Sequence, residues 1–357
     1  MAIKRVGVEE LRAGMYVHDL NCGWLQHGFL RQQFMLRQPG QIQKMKDQGL
    51  KEIYIDTDLG EDVPGALTQT EIERGLDRQL KDSAAGGAAL AQARVSQKEE
   101  SAAAKRILGE ATDVMEGLLL DVRLGKQVDV AQAGPLVKEI NASVLRNPGA
   151  LLSLCRIKEA DTYTFQHSVS ICALLVSFTH ALGMDDATVH EAGFGGLLHD
   201  VGKMKIPSEH HEKMDGGGYP RGISGAEISQ IGRMAAIVDV YDALTSNRVY
   251  HKGMEPSEVL KKLLEWSGSH LDGELVQQFI RTLGIYPVGS LVRLSGGRLA
   301  VVVEQGEDLL RPTVRVVYDT GRKTRLQPRD LHLAHATEQI VDYEDPAEWG
   351  LDATSYF

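Results

Sequence analysis

The stretch AGFGGLLHDVGK, residues 192–203, places His199 and Asp200 at the end of an apolar segment. Apolar residues recur at helical spacing across 185–204, which predicts a helix there. Burying an unpaired charge is costly, so a His-Asp pair in an apolar helix needs hydrogen-bond partners or a metal ion. The pair therefore gives the first candidate site residues of the chain.

Other residues of the same chemical type lie before and after this pair. His167 falls one predicted helix earlier, His210 and His211 follow, and Asp239 interrupts an apolar run. A single histidine on an apolar face is more often a core residue, but this number of histidines and acids favours a metal site. Imidazole and carboxylate are ligands of Zn, Mn and non-haem Fe. A pair of metal ions needs a bridging group, and a carboxylate such as Asp200 can supply it.

A lysine and a glycine-rich loop extend the candidate site. Lys203 follows Asp200 by three residues and shares its helix face. It could contact a phosphate oxygen of a ligand or a hydroxide bound at the metal site. Alternatively, it is an ordinary exposed lysine near a helix end. In HHEKMDGGGYP, residues 210–220, three glycines allow the backbone to approach a ligand and the proline fixes the loop exit. A glycine-rich loop directly after two histidines and an acid indicates a shared site.

The pattern along the chain divides it into a head, a helical core and a tail. Six segments have helical spacing: 99–120, 131–146, 161–182, 185–204, 225–244 and 256–266. Short strands and a short helix are predicted in residues 1 to about 60, notably strands at 15–17, 29–36 and 53–56, and alternating residues after 287 predict a small β-meander. The predicted fold is mainly α, a helical bundle with a small α/β or β-rich N-terminal domain and a short β-rich C-terminal tail.

Composition excludes some function classes. The 357 residues carry 39 Lys and Arg against 49 Asp and Glu, a formal charge of −10, which argues against duplex nucleic acid as a partner. Three scattered cysteines, Cys22, Cys155 and Cys172, favour reduced thiols over a disulfide framework or a Cys zinc site. We find no apolar run approaching about 18 residues, so no membrane span is predicted. The expected location is the cytoplasm.

Together these motifs resemble the HD-GYP family, the bacterial HD phosphohydrolases that degrade the second messenger cyclic di-GMP. The resemblance covers roughly residues 140–285, and residues 1 to about 130 are similar to the domain that often precedes HD-GYP modules. The segments that carry it are HDVGK 199–203, HHE 210–212, DGGGYP 215–220, DVYDALT 239–245 and, in the head, LRAGMYV 11–17. The resemblance implies an HD-type bundle and four parts: an N-terminal regulatory or structural domain 1–80, a linker and connecting helix 81–130, the phosphohydrolase domain 131–285 and a β-rich appendage 286–357.

The resemblance also implies roles for individual residues. It implies hydrolysis of cyclic di-GMP to pGpG, to GMP or to both by a metal-bridged hydroxide, with two divalent metal ions, Fe or Mn first and Zn or Ni as alternatives. A homodimer or signalling-protein partners are left open. The implied metal ligands are His167, His199, Asp200, His210, His211 and Asp239; the catalytic residues are Lys203 and Asp200; the substrate-binding residues are Gly216, Gly217, Gly218, Tyr219, Pro220 and Arg248.

This chain departs from the family pattern at several points. A few dozen residues that normally separate the segment after Lys203 from His210 are absent, and with them a helix and a further histidine ligand. Tyr163 occupies the position of a glutamate found in three-metal members, which favours two metals or fewer. His251 replaces a basic residue, and Gly217 replaces the more usual serine. The alternative hypothesis is therefore a degenerate module that acts as a cyclic di-GMP sensor or a protein-interaction platform; an HD phosphohydrolase acting on other nucleotides is a third.

Overall fold

The computed structural model describes residues 2–21, 33–85, 94–126, 130–155, 163–200, 209–246 and 253–356. The chain divides into two compact units, residues 1–78 and 79–357. Across the described residues, no helix combines the length and the apolar character needed to cross a membrane.

The first unit contains a four-stranded antiparallel sheet. Its elements are β1 (Ile3–Gly7), β2 (Tyr16–Asp19), β3 (Phe34–Met35), α1 (Pro39–Asp47) and β4 (Glu52–Asp56), and the strand order is β1-β4-β2-β3. In β4, Ile53 and Ile55 are fully buried while Tyr54 between them is partly exposed. This period of two is what a strand with one buried face requires.

The described residues between 69 and 283 are mainly helical. The helices are α2 (Gln69–Ala85), α3 (Gln97–Arg123), α4 (Ala133–Arg146), α5 (Pro148–Cys155), α6 (Tyr163–Ala181), α7 (Asp186–Leu198), α8 (Gln230–Thr245), α9 (Pro256–Glu265) and α10 (Gly273–Leu283). Side chains in the preceding loops cap several of them. Asp185, for example, accepts a hydrogen bond from the Thr188 N–H at the start of α7, which satisfies a backbone donor that has no partner within the helix.

Helix α6 is the central helix of the second unit. All its residues from His167 to Thr179 are buried. Its Phe178 packs on Phe279 of α10, with ring centroids 5.2 Å apart, in a core cluster shared with α8 and α9. Its Cys172 and Val176 belong to a second cluster with α3, α4, α5 and α7. A helix that is apolar all round is buried on all sides, so any polar group on it needs a partner.

An antiparallel five-stranded sheet follows the helices. Its strands are β5 (Leu291–Leu294), β6 (Arg298–Glu304), β7 (Thr313–Asp319), β8 (Thr324–His332) and β9 (Ile340–Tyr343), in the order β8-β7-β6-β5-β9. Neighbouring residues of β6 contribute to different apolar clusters: Val302 packs with Val314, and Val301 packs with Val317. Both faces of this small sheet are therefore covered.

The predicted fold class is confirmed: the chain is mainly helical, with a small sheet near each end. Some bounds differ from the prediction. Helix α7 ends at Leu198, because the chain turns at His199 and Asp200, and residues 201–208 lie outside the described residues. Helix α8 begins at Gln230, since Ser229 caps it. The periodicity missed α2, α5 and α10. The eight residues of α5 span too few turns to show a repeat. The four domain boundaries remain predictions.

Candidate metal centre

Close packing of α6 and α7 places the first two histidines near each other. A Cβ at Gly196 would lie 2.8 Å from Leu175 Cδ1 and 3.3 Å from the backbone of Cys172, so a larger residue would push α7 away from α6. With glycine there, the rings of His167 on α6 and His199 after α7 lie 5.0 Å apart and nearly perpendicular.

The end of α7 fixes the ring of His199. Its Nδ1 lies 2.8 Å from the carbonyl oxygen of Gly196. A carbonyl oxygen only accepts, so Nδ1 carries the proton and Nε2 keeps its lone pair. That Nε2 is buried, has no hydrogen-bond partner within the described ranges, and lies 3.1 Å from Asp200 Oδ1. His199 is thus oriented as a ligand through Nε2.

The ring of His167 lies between two carboxylates of α8. Its Nε2 is 3.1 Å from Asp239 Oδ1 and its Nδ1 is 2.6 Å from Asp242 Oδ2. Burial alone would lower the pKa of His167, but the hydrogen bonds to Asp239 and Asp242 outweigh it and raise that pKa to about 9. Burial would raise the pKa of Asp239, yet the contact with His167 lowers it to about 2. Without a metal ion, this trio is held as an imidazolium between carboxylates.

A short 3₁₀ turn, Glu209–His211, brings two further histidines to the same place. The ring of His210 lies 5.3 Å from that of His199 and 4.0 Å from that of His211. Burial, with the neighbouring His211, lowers the pKa of His210 to about 4, so its ring is neutral at pH 7. A neutral ring is the form that ligates a metal.

The ligand atoms form three overlapping groups, and within each group they lie within 4.8 Å of one another. The groups are His167, His199 and Asp239; His199, Asp200 and His210; and His210, His211 and Asp239. Such spacing lets the atoms of one group converge on a cation. The Nε2 atoms of His199 and His210 are buried and find no hydrogen-bond partner in the part of the chain that the structure describes. Buried polar atoms normally have partners, so these residues fit divalent cations.

The glycine-rich loop folds back on the same histidines. The Tyr219 N–H donates to the His211 carbonyl at 3.2 Å, and the two rings stack with centroids 4.6 Å apart. Oε1 of the buried Glu212 accepts from the Arg221 N–H at 2.7 Å, across the loop. A Cβ at Gly218 would lie 2.4 Å from the Glu212 Cα, so only glycine fits where the loop passes against the backbone of Glu212. Tyr219 is 61% exposed beside the candidate centre.

The structure brings together all six predicted metal-ligating residues: His167, His199, Asp200, His210, His211 and Asp239. The predicted loop residues Gly216, Gly217, Gly218, Tyr219 and Pro220 lie beside His211, partly or fully exposed. Lys203 and Arg248 lie outside the described residues. Sequence reasoning missed the contacts of Asp242 and Glu212. Asp242 follows Asp239 by three residues, so their shared helix face was the available signal.

A helical core that brings histidine and aspartate ligand atoms within 4.8 Å of one another fits the class of HD-type metal-dependent phosphohydrolases. Two family models match the chain: "Domain of unknown function (DUF3391)" over residues 3–133 and "HD domain" over residues 208–275. The second match takes in the 3₁₀ turn of His210 and His211, the glycine-rich loop and α8, while the first matches the head and α3.

Known proteins narrow the class further. "Cyclic di-GMP phosphodiesterase PA4108" of Pseudomonas aeruginosa is 36% identical, over 97% of this chain and 93% of that protein. "3'3'-cGAMP-specific phosphodiesterase 1" of Vibrio cholerae is 28% identical, over 37% of this chain and 41% of its own. The solved structure of Bd1817, an HDG"Y"P protein from Bdellovibrio bacteriovorus, aligns with 78% of this chain and 98% of its own at a TM-score of 0.42 and 15% identity. Because this chain is 36% identical to the first relative over nearly the whole length of both proteins, it belongs to the HD-GYP family.

The first relative also bears on the length of the chain. The alignment extends over 394 residues, more than the 357 of this chain, so the relative has residues with no counterpart here. This agrees with the short connection between Lys203 and His210, without locating the gap.

Proposed function

We propose that the protein is a metal-dependent phosphodiesterase that hydrolyses cyclic di-GMP to pGpG, to GMP or to both. One observation carries the proposal: six His and Asp side chains converge in three groups of ligand atoms, each within 4.8 Å. It is supported by the 36% identity, over nearly the whole chain, to a protein named as a cyclic di-GMP phosphodiesterase.

The proposed centre holds two divalent cations, Mn or Fe in first place and Zn or Ni as alternatives, since imidazole and carboxylate donors suit all of them. Bound cations would activate water and neutralise the charge that develops on the phosphate oxygens. Two features of the chain favour the binding of such cations. The bond from His199 Nδ1 to the Gly196 carbonyl leaves its Nε2 free to ligate, and burial keeps His210 neutral. Asp200, beside His199 Nε2, is the proposed bridging and catalytic carboxylate.

The substrate side of the proposal uses the loop Gly216–Pro220. Tyr219 is exposed and its ring stacks on His211, so its outer face is available for stacking with a guanine base, a contact of about 1–3 kcal/mol in nucleotide-binding proteins. Lys203 and Arg248 are the proposed phosphate-contacting cations. With a formal charge of −10, the protein must hold an anionic substrate by such local groups and by the metals, not by a basic surface.

The alternative is a degenerate module that binds cyclic di-GMP or another protein without turnover. The residues that the first relative has and this chain lacks favour it, because the family's missing segment normally supplies a ligand and part of the substrate wall. A regulatory N-terminal unit, a cytoplasmic location and a homodimer or signalling partner belong to either form of the proposal. Cys155 and Cys172 are buried thiols, which is compatible with a reducing compartment.

The deciding experiment is turnover by the full chain, stripped with a chelator and reloaded with Mn²⁺ or Fe²⁺. We expect cyclic di-GMP to be cleaved, with 3′3′-cGAMP as a comparison substrate and the products separated by chromatography. Asp200→Asn should lower the rate on the order of 10³-fold, several kcal/mol of lost metal assistance. Asp121→Asn, the same change at a partly exposed position of α3, should leave it unchanged. Binding of cyclic di-GMP without cleavage under both metals would support the degenerate module instead.

A further inference from the structure

We infer that Asp242 is a positioning residue of the metal centre, holding the imidazole of His167 so that Nε2 faces the cation. The inference rests on the proposed function only in requiring that the centre binds a divalent metal. Asp242 belongs to none of the three ligand groups, so its role is distinct from that of the six candidate ligands.

The contact between the two side chains is short and buried. Asp242 Oδ2 lies 2.6 Å from His167 Nδ1, and the exposed fractions of the side chains are 6% for Asp242 and 8% for His167. Hydrogen bonds with a charged partner are shorter than neutral ones and about twice as strong. Away from water, such a bond fixes the rotation of the ring.

The two carboxylates of α8 divide the two nitrogens of this ring between them. Asp239, a member of the same ligand group as His167 and His199, lies next to Nε2. Asp242, one helical turn later, lies next to Nδ1. A metal-ligating nitrogen must be unprotonated, so a cation on Nε2 would leave the proton on Nδ1, where Asp242 Oδ2 is placed to accept it. Outer carboxylates of this kind orient the ring and raise its basicity as a ligand.

His199 shows the same arrangement with a different acceptor. Its Nδ1 faces the Gly196 carbonyl and its Nε2 faces the centre. In both histidines, Nδ1 therefore makes a hydrogen bond within the protein and Nε2 faces the metal centre. The acceptor for His199 Nδ1 is a backbone carbonyl at the end of its own helix. The acceptor for His167 Nδ1, in the middle of the bundle, is a side chain from another helix.

Asp242 is itself held in place at the end of α8. Its carbonyl oxygen accepts from Ser246 Oγ at 2.5 Å and from Thr245 Oγ1 at 3.4 Å. These bonds tie the last turn of the helix where its carbonyls would otherwise lack partners. The carboxylate is thus presented from an anchored turn and not from a frayed helix end.

The test is the affinity of the chelator-treated full chain for Mn²⁺ alone, measured by titration calorimetry. We expect Asp242→Ala to weaken one Mn²⁺ equivalent by about 10–100-fold, the usual effect of removing an outer partner. Asp242→Asn should weaken it less, because an amide oxygen still accepts from Nδ1–H. Glu100→Gln, at a buried carboxylate of α3, is the matched control and should keep wild-type affinity. In Zn²⁺-loaded, ¹⁵N-histidine-labelled protein, the His167 Nδ1–H signal should persist in the wild type and be lost in Asp242→Ala.

Wild-type Mn²⁺ affinity in both folded Asp242 variants would overturn the inference and leave the proposed function standing. If Asp242→Ala does not fold, Asp242→Asn, which has nearly the same shape, decides the question alone. Weakened Mn²⁺ binding in a protein that turns over no cyclic dinucleotide would support the inference while the proposed function fails. A wild-type chain that binds no Mn²⁺ would overturn both.

Discussion

Two clusters of buried polar side chains in the second unit are built differently. Between α3 and α4, Glu100 accepts from Ser143 Oγ at 2.8 Å and from two nitrogens of Arg146 at 2.7 Å each, so both of its oxygens have partners. In the metal centre, His199 and His210 bury Nε2 atoms that have no hydrogen-bond partner among the residues described. The first cluster is complete within the protein, whereas the second offers buried nitrogens to a ligand.

We therefore expect the first cluster to contribute to the stability of the fold and the second to contribute to function. A buried group with all its partners stabilises the fold and can be removed only at a cost in free energy of unfolding. Buried nitrogens without partners destabilise the metal-free fold, and their presence is explained when a ligand completes them. The following predictions test that separation, beginning with the largest expected effect.

His210→Leu should abolish function without weakening the fold. We expect turnover of cyclic di-GMP to fall on the order of 10³-fold, because one candidate ligand is lost. We expect the free energy of unfolding of the metal-free protein to stay the same or to rise by about 1 kcal/mol, since an apolar side chain replaces a buried nitrogen that lacks a partner. Turnover assays and urea unfolding after chelator treatment measure the two quantities on one preparation.

The combination of the two results is what matters for His210→Leu. A variant that loses activity and also unfolds more easily without metal would mean that His210 supports the fold as Glu100 does. The contrast between the two clusters would then fail.

Arg146→Ala should have the opposite profile. Glu100, 3% exposed, would keep only its hydrogen bond from Ser143, so we expect a loss of about 2 kcal/mol in the free energy of unfolding. This is less than the full cost of breaking a completely buried pair, because the Arg146 side chain is 40% exposed. Mn²⁺ affinity should not change. A change in metal affinity at unaltered stability would contradict the assignment of this pair to the fold.

The same two clusters show how far the sequence could be read. Four of the six candidate ligands could be singled out because each places a histidine or acid in or beside an apolar helical segment, where burial demands a partner: His167, His199, Asp200 and Asp239. His210 and His211 lie in a polar stretch, and the family resemblance implied their role as ligands. Glu100 gave no such signal: beside Glu99, it has the sequence appearance of an ordinary acid in the first turn of a helix. Its burial depends on Arg146, 46 residues later, and such contacts follow from helix packing and not from local pattern.

The contact between Asp242 and His167 was only partly within reach of the sequence. Asp242 was visible as part of a motif, but its bond to His167 requires α8 to lie against α6 at one rotation. Periodicity predicted α3, α4, α6, α7, α8 and α9 and the strands β2, β4, β5, β6 and β7, but it missed α2, α5 and α10. Strand β9, four residues long, has too short a pattern to be distinguished from a turn.

The pH dependence of stability offers a third test. The hydrogen bond from Arg146 holds the pKa of Glu100 below its usual value, so the ionised form stabilises the fold above the unfolded pKa of about 4.3. That contribution is lost as the pH falls through the folded pKa. Between pH 6 and pH 3, the metal-free wild type should therefore lose stability more steeply than Glu100→Gln in urea unfolding. Parallel curves would show that Glu100 contributes nothing to acid sensitivity.

The smallest effect is expected at a second ion pair between the same two helices. Arg106 of α3 reaches Glu110 at 2.7 Å and Glu139 of α4 at 2.9 Å, but all three side chains are about half exposed. Exposed pairs gain little, since water screens the attraction and ordering the long side chains costs entropy. Arg106→Ala should therefore shift the urea midpoint far less than Arg146→Ala, and 0.5 M NaCl should remove what difference remains. Equal shifts for the two arginines would mean that linking α3 to α4 stabilises the fold whatever the burial of the pair.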